Sequence, residues 1–472
     1  MKLTWFLTAG TIFTIGWAAL NVAEASEAGR KIGTTYRVVD TGQTKCYDAG
    51  DGWGTPNMDC PASGDFFGQD AQYTINAPHY KDNGDGTVSD LVSGLMWQKR
   101  FYRNTHWNTA EDIARNATEG GHKDWRVPTI KELYSLINHG GATGRMDPNS
   151  REKPSDAVPY LNTEYFDFEY PPEAPSGTYS SHIRYIDSQY ITSTIYEGFT
   201  MGRNKTFFGV NFADGRIKGY PVFGQKGGDG FYLRLVRGNP EYGKNKFATT
   251  SENAVMDAAT GLTWMKADTG HFVDKLQQTK SKDGRVDWGE ALSFCEGLEL
   301  DGFSDWRLPS SKELQSLVDY TRSPQRTSSA ALDPIFAVTE FKDVRGKTNF
   351  PAYWSSTSLL DGKNPGDEGI IVFFGEALGA FSLPSGPGGG DMMKRRPPPP
   401  PGGHMRGPGS HPHERPQGGS ERGSKASIID VHGAGAQRSD PKSGDIGDYP
   451  VWGHGPQGDV RRVYNYARCV RG

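Results

Sequence analysis

The chain has 472 residues, a formal net charge of −4, 61 glycines, 30 prolines and 35% hydrophobic residues. That length suits two or three domains at ~100–200 residues each, and the composition points to small cores carrying much loop. A pI near 6.3 lacks the strongly basic face of a general nucleic-acid binder, so no nucleic-acid partner is expected.

Lys2, the nearly uncharged run Leu3–Leu20 and Ala23-Glu24-Ala25 read as a signal peptide, residues 1–25, cleaved before Ser26. No cysteine follows the run, which argues against a lipid anchor. No later segment approaches the ~20 apolar residues that span a bilayer, so the mature chain is expected to have no membrane span. The expected location is extracytoplasmic: periplasm, cell surface or medium. Residues 26–79 form a leader containing Cys46 and Cys60. Four cysteines in an exported chain read as two disulfides rather than as metal or redox ligands.

From residue 80 the chain is written twice. TVSDLVSGLMWQK at 87–99 recurs as AVMDAATGLTWMK at 254–266, and KDWRVPTIKEL at 123–133 recurs as SDWRLPSSKEL at 304–314. Tyr190–Thr194 corresponds to Tyr353–Thr357, and the tail Leu233–Gly238 to Ala467–Gly472. Equal order and similar spacing indicate a tandem duplication, 80–238 and 250–472, with a period too long for a solenoid. Within a copy, GLMWQK and GLTWMK predict short strands. Trp288, Ala291, Leu292 and Cys295 fall on one face of an amphipathic helix. Thr129 with Glu132, and Ser310 with Glu313, are capping boxes that start a second helix. Its apolar stripe is Leu133, Leu136 and Ile137 in one copy and Leu314, Leu317 and Val318 in the other. Asp124–Arg126 and Asp305–Arg307 are read as local ion pairs or backbone anchors. Residues 208–212 and 369–374, each followed by a turn, predict hairpins.

The second copy is interrupted at 385–426, where nearly half the residues are Pro or Gly and Pro397–Pro401 are consecutive. Such a stretch is expected to be disordered or polyproline. Asp430–Asp440, DVHGAGAQRSD, has no counterpart in the first copy. It reads either as a ligand loop or as an ordered insertion over a sheet edge.

Cys295 stands where the first copy has Ala114, and Cys469 where it has Leu235. Both cysteines are present in one copy and absent from the other, which pairs Cys295 with Cys469 and leaves Cys46 for Cys60. A helix cysteine stapling the terminal strand resembles the C-type lectin-like fold. More closely, GDGTVSDLVSGLMWQK, DWRVPTIKEL, DWRLPSSKEL, YWSST and RCVRG resemble the Lcl C-terminal domain family, a bacterial domain of unknown function named after a collagen-like surface adhesin. The resemblance covers both copies, and the leader VVDTGQTKCYD…GQDAQYT also occurs ahead of such domains. It implies secretion or surface display and, in the namesake, adhesion to sulfated glycans, and it carries no catalytic residues. The expected fold class is α+β: two tandem C-type lectin-like domains, the second with a long Pro/Gly-rich disordered insertion.

Asp82–Gly86 looks like a calcium loop, but an EF-hand register puts Lys81 and Val92 where carboxylates are needed. An Asp-Gly turn between strands fits better. The sugar-binding tripeptides Glu-Pro-Asn, Gln-Pro-Asp and Trp-Asn-Asp do not occur, so no metal site and no cofactor are assigned. Trp97/Trp264, Trp107/Trp288 and Trp125/Trp306 are matched pairs suited to packing. The unmatched Trp53, Trp354 and Trp452 are the freer candidates for stacking on a sugar. Lys394, Arg395, Arg396 and Arg438 are the candidate cations for an anionic ligand, since association responds to the local field. No hydrolase, metalloprotease, phosphate-loop or dithiol motif occurs, and no catalytic residue is named. The function expected is noncatalytic binding or adhesion, with an anionic polysaccharide as partner. The alternative is a structural module of an envelope or extracellular assembly, partnered by another envelope protein. An unrecognised enzyme is a third reading, because fold does not fix function.

Overall fold

Each copy opens with an antiparallel meander that its own last strand completes. The computed structural model describes residues 33–49, 59–145, 147, 150–171, 183–223, 230–276, 282–362, 364–381, 427–445 and 457–472. The expected signal peptide, 1–25, and the insertion 385–426 lie outside the described residues. In the first copy the strands are β1 (Tyr80–Asp82), β2 (Thr87–Asp90), β3 (Leu95–Gln98), β4 (Tyr102–Thr105), β5 (Gln189–Thr200), β6 (Asn204–Asn211), β7 (Arg216–Pro221), β8 (Phe231–Leu233) and β9 (Val236–Gly238). The second has β10 (Phe247–Thr249), β11 (Ala254–Asp257), β12 (Thr263–Met265), β13 (Phe341–Lys342), β14 (Thr348–Asn349), β15 (Ala352–Leu359), β16 (Glu368–Phe373), β17 (Leu378–Phe381), β18 (Ser427–Asp430), β19 (Gln437–Pro441) and β20 (Val470–Arg471). Sheet β1-β2-β3-β9 of one copy matches sheet β10-β11-β12-β20 of the other. With short helices packed on mixed sheets, the class is α+β.

The helices follow local rules. Helix α1 (Ala110–Asn116) and its counterpart α3 (Trp288–Glu296) precede α2 (Ile130–Tyr134) and its counterpart α4 (Ser311–Ser316). Trp288, Ala291, Leu292 and Cys295 are all buried on α3. Cys295 bridges to Cys469, and Cys46 to Cys60. In the first copy Ala114 and Leu235 occupy the cysteine positions inside an apolar cluster with Trp125 and Phe207. Both capping boxes form, Thr129 with Glu132 and Ser310 with Glu313. The two capping glutamates also pair with Arg126 and Arg307. Asp124 and Asp305 instead reach Arg237 and Arg471 of the closing strands. The aspartates and arginines of the repeated phrase are thus joined to other partners, not to each other.

The copies do not stand apart. One eight-stranded sheet runs β15-β16-β19-β7-β6-β5-β8-β4, and its two halves meet where β19 lies antiparallel to β7 at Gln437 and Ile217. One core cluster contains Trp97, Leu133 and Phe208 together with Trp264, Leu314 and Trp354. By sequence β17 is the counterpart of β7, yet β17 pairs with β18, and β19 takes the place beside β16. Strand β19, which follows the insertion, thus occupies the place that β7 holds beside β6 in the first copy. Asp430–Asp440 is therefore the turn and strand that join the halves, and it covers the edges of β16 and β7.

A reciprocal pair of lysines crosses this junction. Lys131 Nζ donates to Ser316 O at 2.7 Å, at the end of α4, and Lys312 Nζ donates to Ser135 O at 2.8 Å, just after α2. The last carbonyls of a helix lack intrahelical partners, so each copy supplies the cation that finishes the other's helix. The leader is clamped into the same junction. Gln43 bridges His139 O and Ser358 O, and Asp70 accepts from Thr41 at 2.7 Å and from Thr357 at 2.6 Å.

Lys312→Ala strands the buried carbonyls Asp40 O and Ser135 O, each worth about 1–3 kcal/mol when left unsatisfied. Urea unfolding should show a loss of about 2 kcal/mol or more. The exposed Lys347→Ala should stay within about 0.5 kcal/mol of wild type, and equal effects would contradict the junction role. Burial pushes Asp70 up to about 7. A carboxyl raised in the folded state stabilises below its unfolded pKa, and the benefit is lost as pH rises through the folded value. The Tm of Asp70→Asn relative to wild type should therefore rise between pH 5 and pH 8; a fall would contradict the assignment.

Candidate functional site

Where the halves meet, the two copies differ most, and charged side chains concentrate there. β7 contributes Arg216 and Lys218. The turn before β19 contributes His432, β19 itself contributes Arg438 and Asp440, and the chain beyond contributes Asp459 and Arg461. Arg438 Nε donates to Asp459 Oδ2 at 2.9 Å, while His432 Nε2 lies 3.0 Å from Asp459 Oδ1. Arg461 pairs with Glu368, which also accepts from Ser439. Arg216 reaches Asp361 Oδ2 at 2.5 Å, and Lys218 pairs with Asp214. Asp440 accepts from Asn465 Nδ2 at 2.8 Å. Ile371, Phe373, Leu378, His432, Arg438, Asp459 and Arg461 are among the residues lining a narrow, water-sized cleft here.

Burial sets the titration of these groups. It pushes His432 down, assisted by Arg438 and opposed by Asp459, so the imidazole is held neutral. It lowers Lys218 to about 8 and raises Asp440 to about 7. Arg461 is lowered to about 10 by burial and by the neighbouring Arg216. Charge removed from water needs full hydrogen bonding, and this cluster does not supply it. His432 Nδ1, Arg438 Nη1, Arg461 Nε, Arg216 Nε, Asp214 Oδ1 and Tyr220 Oη are buried without a hydrogen-bond partner among the described residues. Buried polar atoms are nearly always paired; of these six, His432 Nδ1, Arg438 Nη1 and Arg461 Nε belong to residues that line the cleft.

The residues singled out from the sequence fall into three groups. Arg438 lies in this cleft, ion-paired and largely buried. Trp354 does not offer a face to a ligand: it is fully buried, and its indole N–H donates to Val286 O at 2.9 Å. β15 is buried along its whole length, with α3 and α4 packed against it, and this corrects the expectation that an unmatched tryptophan is a free one. Trp53, Trp452, Lys394, Arg395 and Arg396 lie outside the described residues. Of the matched tryptophans, Trp97, Trp125, Trp264, Trp288 and Trp306 are buried and Trp107 half-buried. Sequence reading missed His432 and Asp459, which gather with Arg438 and Arg461. Their signal was faint: a histidine and an Asp-x-Arg stretch that the first copy does not repeat. No group of three or more potential metal ligands occurs among the described residues, and none of their helices is long and apolar enough to cross a membrane.

Arg438→Ala removes the cation beside His432 and leaves Asp459 facing the ring. The pKa of His432, followed by NMR of the ring protons, should rise relative to wild type; an unchanged or lower value would contradict the geometry of the cluster.

The sequence profile of the Lcl C-terminal domain matches residues 86–237 and 253–377, more than half of the chain, once in each copy. No curated protein and no solved structure matches it.

Proposed function

We propose, from the premise that this chain belongs to the Lcl C-terminal domain family, that it is a noncatalytic extracytoplasmic binding protein that takes an anionic glycan in the cleft beside β19. The observation that carries the reading is the unpaired set on His432, Arg438 and Arg461. With its Nε2–H directed to Asp459, neutral His432 presents Nδ1 as an acceptor for a sugar hydroxyl. The guanidinium N–H groups of Arg438 and Arg461 suit a carboxylate or sulfate. These atoms are covered, so a ligand engages them once the two arginine side chains turn toward the cleft. The helix-to-last-strand disulfide Cys295–Cys469 and the pairing of β12 with β20 support halves of C-type lectin-like type. The basic run Lys394–Arg396 belongs to the insertion that leaves and re-enters at the paired Phe381 and Ser427, and it adds positive charge to the same copy.

A second reading, a structural module of an envelope assembly, draws on two exposed aromatics, Phe199 and Phe223. Phe199 pairs with Lys205, whose carbonyl accepts from Val222 N, so both rings lie at one end of the large sheet. Exposed aromatic residues are favoured at protein interfaces.

A glycan array on residues 26–472 that includes sulfated polysaccharides, at low and moderate salt, separates the two readings. Selective binding that weakens with salt is the expected result. Arg438→Ala with Arg461→Ala should lower affinity about tenfold or more, since a charged hydrogen bond contributes ~1.5–3 kcal/mol. A blank array from folded protein moves the reading to the assembly module, whereas binding indifferent to both substitutions removes the cleft from the site.

A further inference from the structure

Lys131 and Lys312 hold equal positions in the two copies, yet their neighbours differ in one chemical respect. Lys312 Nζ meets two main-chain carbonyls, Asp40 O and Ser135 O, each at 2.8 Å. Lys131 Nζ meets Ser316 O at 2.7 Å, Gly243 O at 3.1 Å and, in addition, the side-chain carboxamide of Asn245, with Oδ1 at 2.9 Å. The nitrogen of that carboxamide donates to Asp257 Oδ2 at 2.8 Å. An amine, an amide and a carboxylate thus stand in one row, with the amine at the carbonyl end and the acid on the nitrogen. Asp257 is fully buried. Tyr36, Tyr134, Tyr242 and Val38 line a narrow space beside the lysine.

We infer that Lys131, Asn245 and Asp257 form a self-modifying site that joins Lys131 Nζ to Asn245 Cγ as an intramolecular amide, with release of ammonia. A small rotation of the carboxamide from its present hydrogen bond turns Cγ toward Nζ. The Nζ lone pair forms the new C–N bond, and one amine proton passes through the Asp257 carboxylate to Nδ2. The Cγ–Nδ2 bond then breaks, ammonia leaves, and Asp257 is again a carboxylate. Lysine amine plus carboxamide gives secondary amide plus ammonia, with no oxidant, metal or cofactor consumed. Two physical features favour the step. Burial lowers Lys131 to about 8, so a neutral, nucleophilic fraction exists near neutral pH, and the reacting groups are already held in contact by the fold. Asp257 touches the leaving nitrogen and so acts as the catalytic residue, the proton carrier of general acid–base chemistry.

The product ties the start of α2 in the first copy to the segment that leads into β10 of the second. It makes the junction covalent at one of its two lysines and leaves the other as an ordinary ammonium. Lys312 has no carboxamide among its contacts and serves as an internal control.

The test is peptide mapping by mass spectrometry of the purified full chain, reduced and digested with trypsin. The expected result is a branched peptide joining the Lys131 and Asn245 segments, lighter than their sum by one ammonia, with the Lys312 segment linear. Lys131→Arg and Asp257→Ala, checked for the native Cys295–Cys469 bridge, should reduce the branched species to background. Linear Lys131 and Asn245 peptides alone from wild-type protein would overturn the proposal. A branched peptide persisting in Asp257→Ala would overturn the role given to the carboxylate.

Discussion

An ammonium group taken out of water must find acceptors, and in this protein each copy of the duplicated domain finds them in the other. Lys131 and Lys312 close the open ends of the opposite helices, so neither copy completes its own hydrogen bonding at this point. The shared sheet, the shared core and the leader threaded through the junction all assume this crossing. The repeated phrase DWR-x-P-x-x-KEL has three tasks: a tryptophan for the core, a capping box for its own helix, and a lysine for its neighbour.

Duplication makes the junction nearly symmetric, and the insertion breaks that symmetry. In the first copy β7 follows β6 directly. In the second, β17 is diverted to pair with β18, and β19 slides in beside β16 and against β7. Strand β19 brings Arg438 and Asp440 beside β16, and Asp459 and Arg461 lie with them along the cleft. Buried charge in such numbers stabilises little.

Much of the fold was legible because its causes are local. The capping boxes, the buried face of α3, the turn at Asp82–Gly86 and the disulfide pairing each rest on spacing within one copy or on comparison between the two. The tail strands β9 and β20 were legible as a matched pair. What escaped reading depends on contacts across the chain. Lys131 and Lys312 look like any solvent-facing lysine of an amphipathic helix until the other copy is placed beside them. Trp354 was unmatched by sequence and read as free, but the strand carrying it is covered on both faces, so nothing in its neighbours along the chain revealed its burial. Arg438 was singled out for its charge alone; that its partners are Asp459 and His432 follows from the strand exchange, which no periodicity announces.

The account stands or falls on the two copies being one cooperative body. Equilibrium urea unfolding of residues 26–472, disulfides intact, followed together by far-ultraviolet circular dichroism and tryptophan fluorescence, measures this directly. Coincident single transitions, as expected when one core and one sheet serve both copies, would support the account. Two separated transitions, one for each copy, would contradict it.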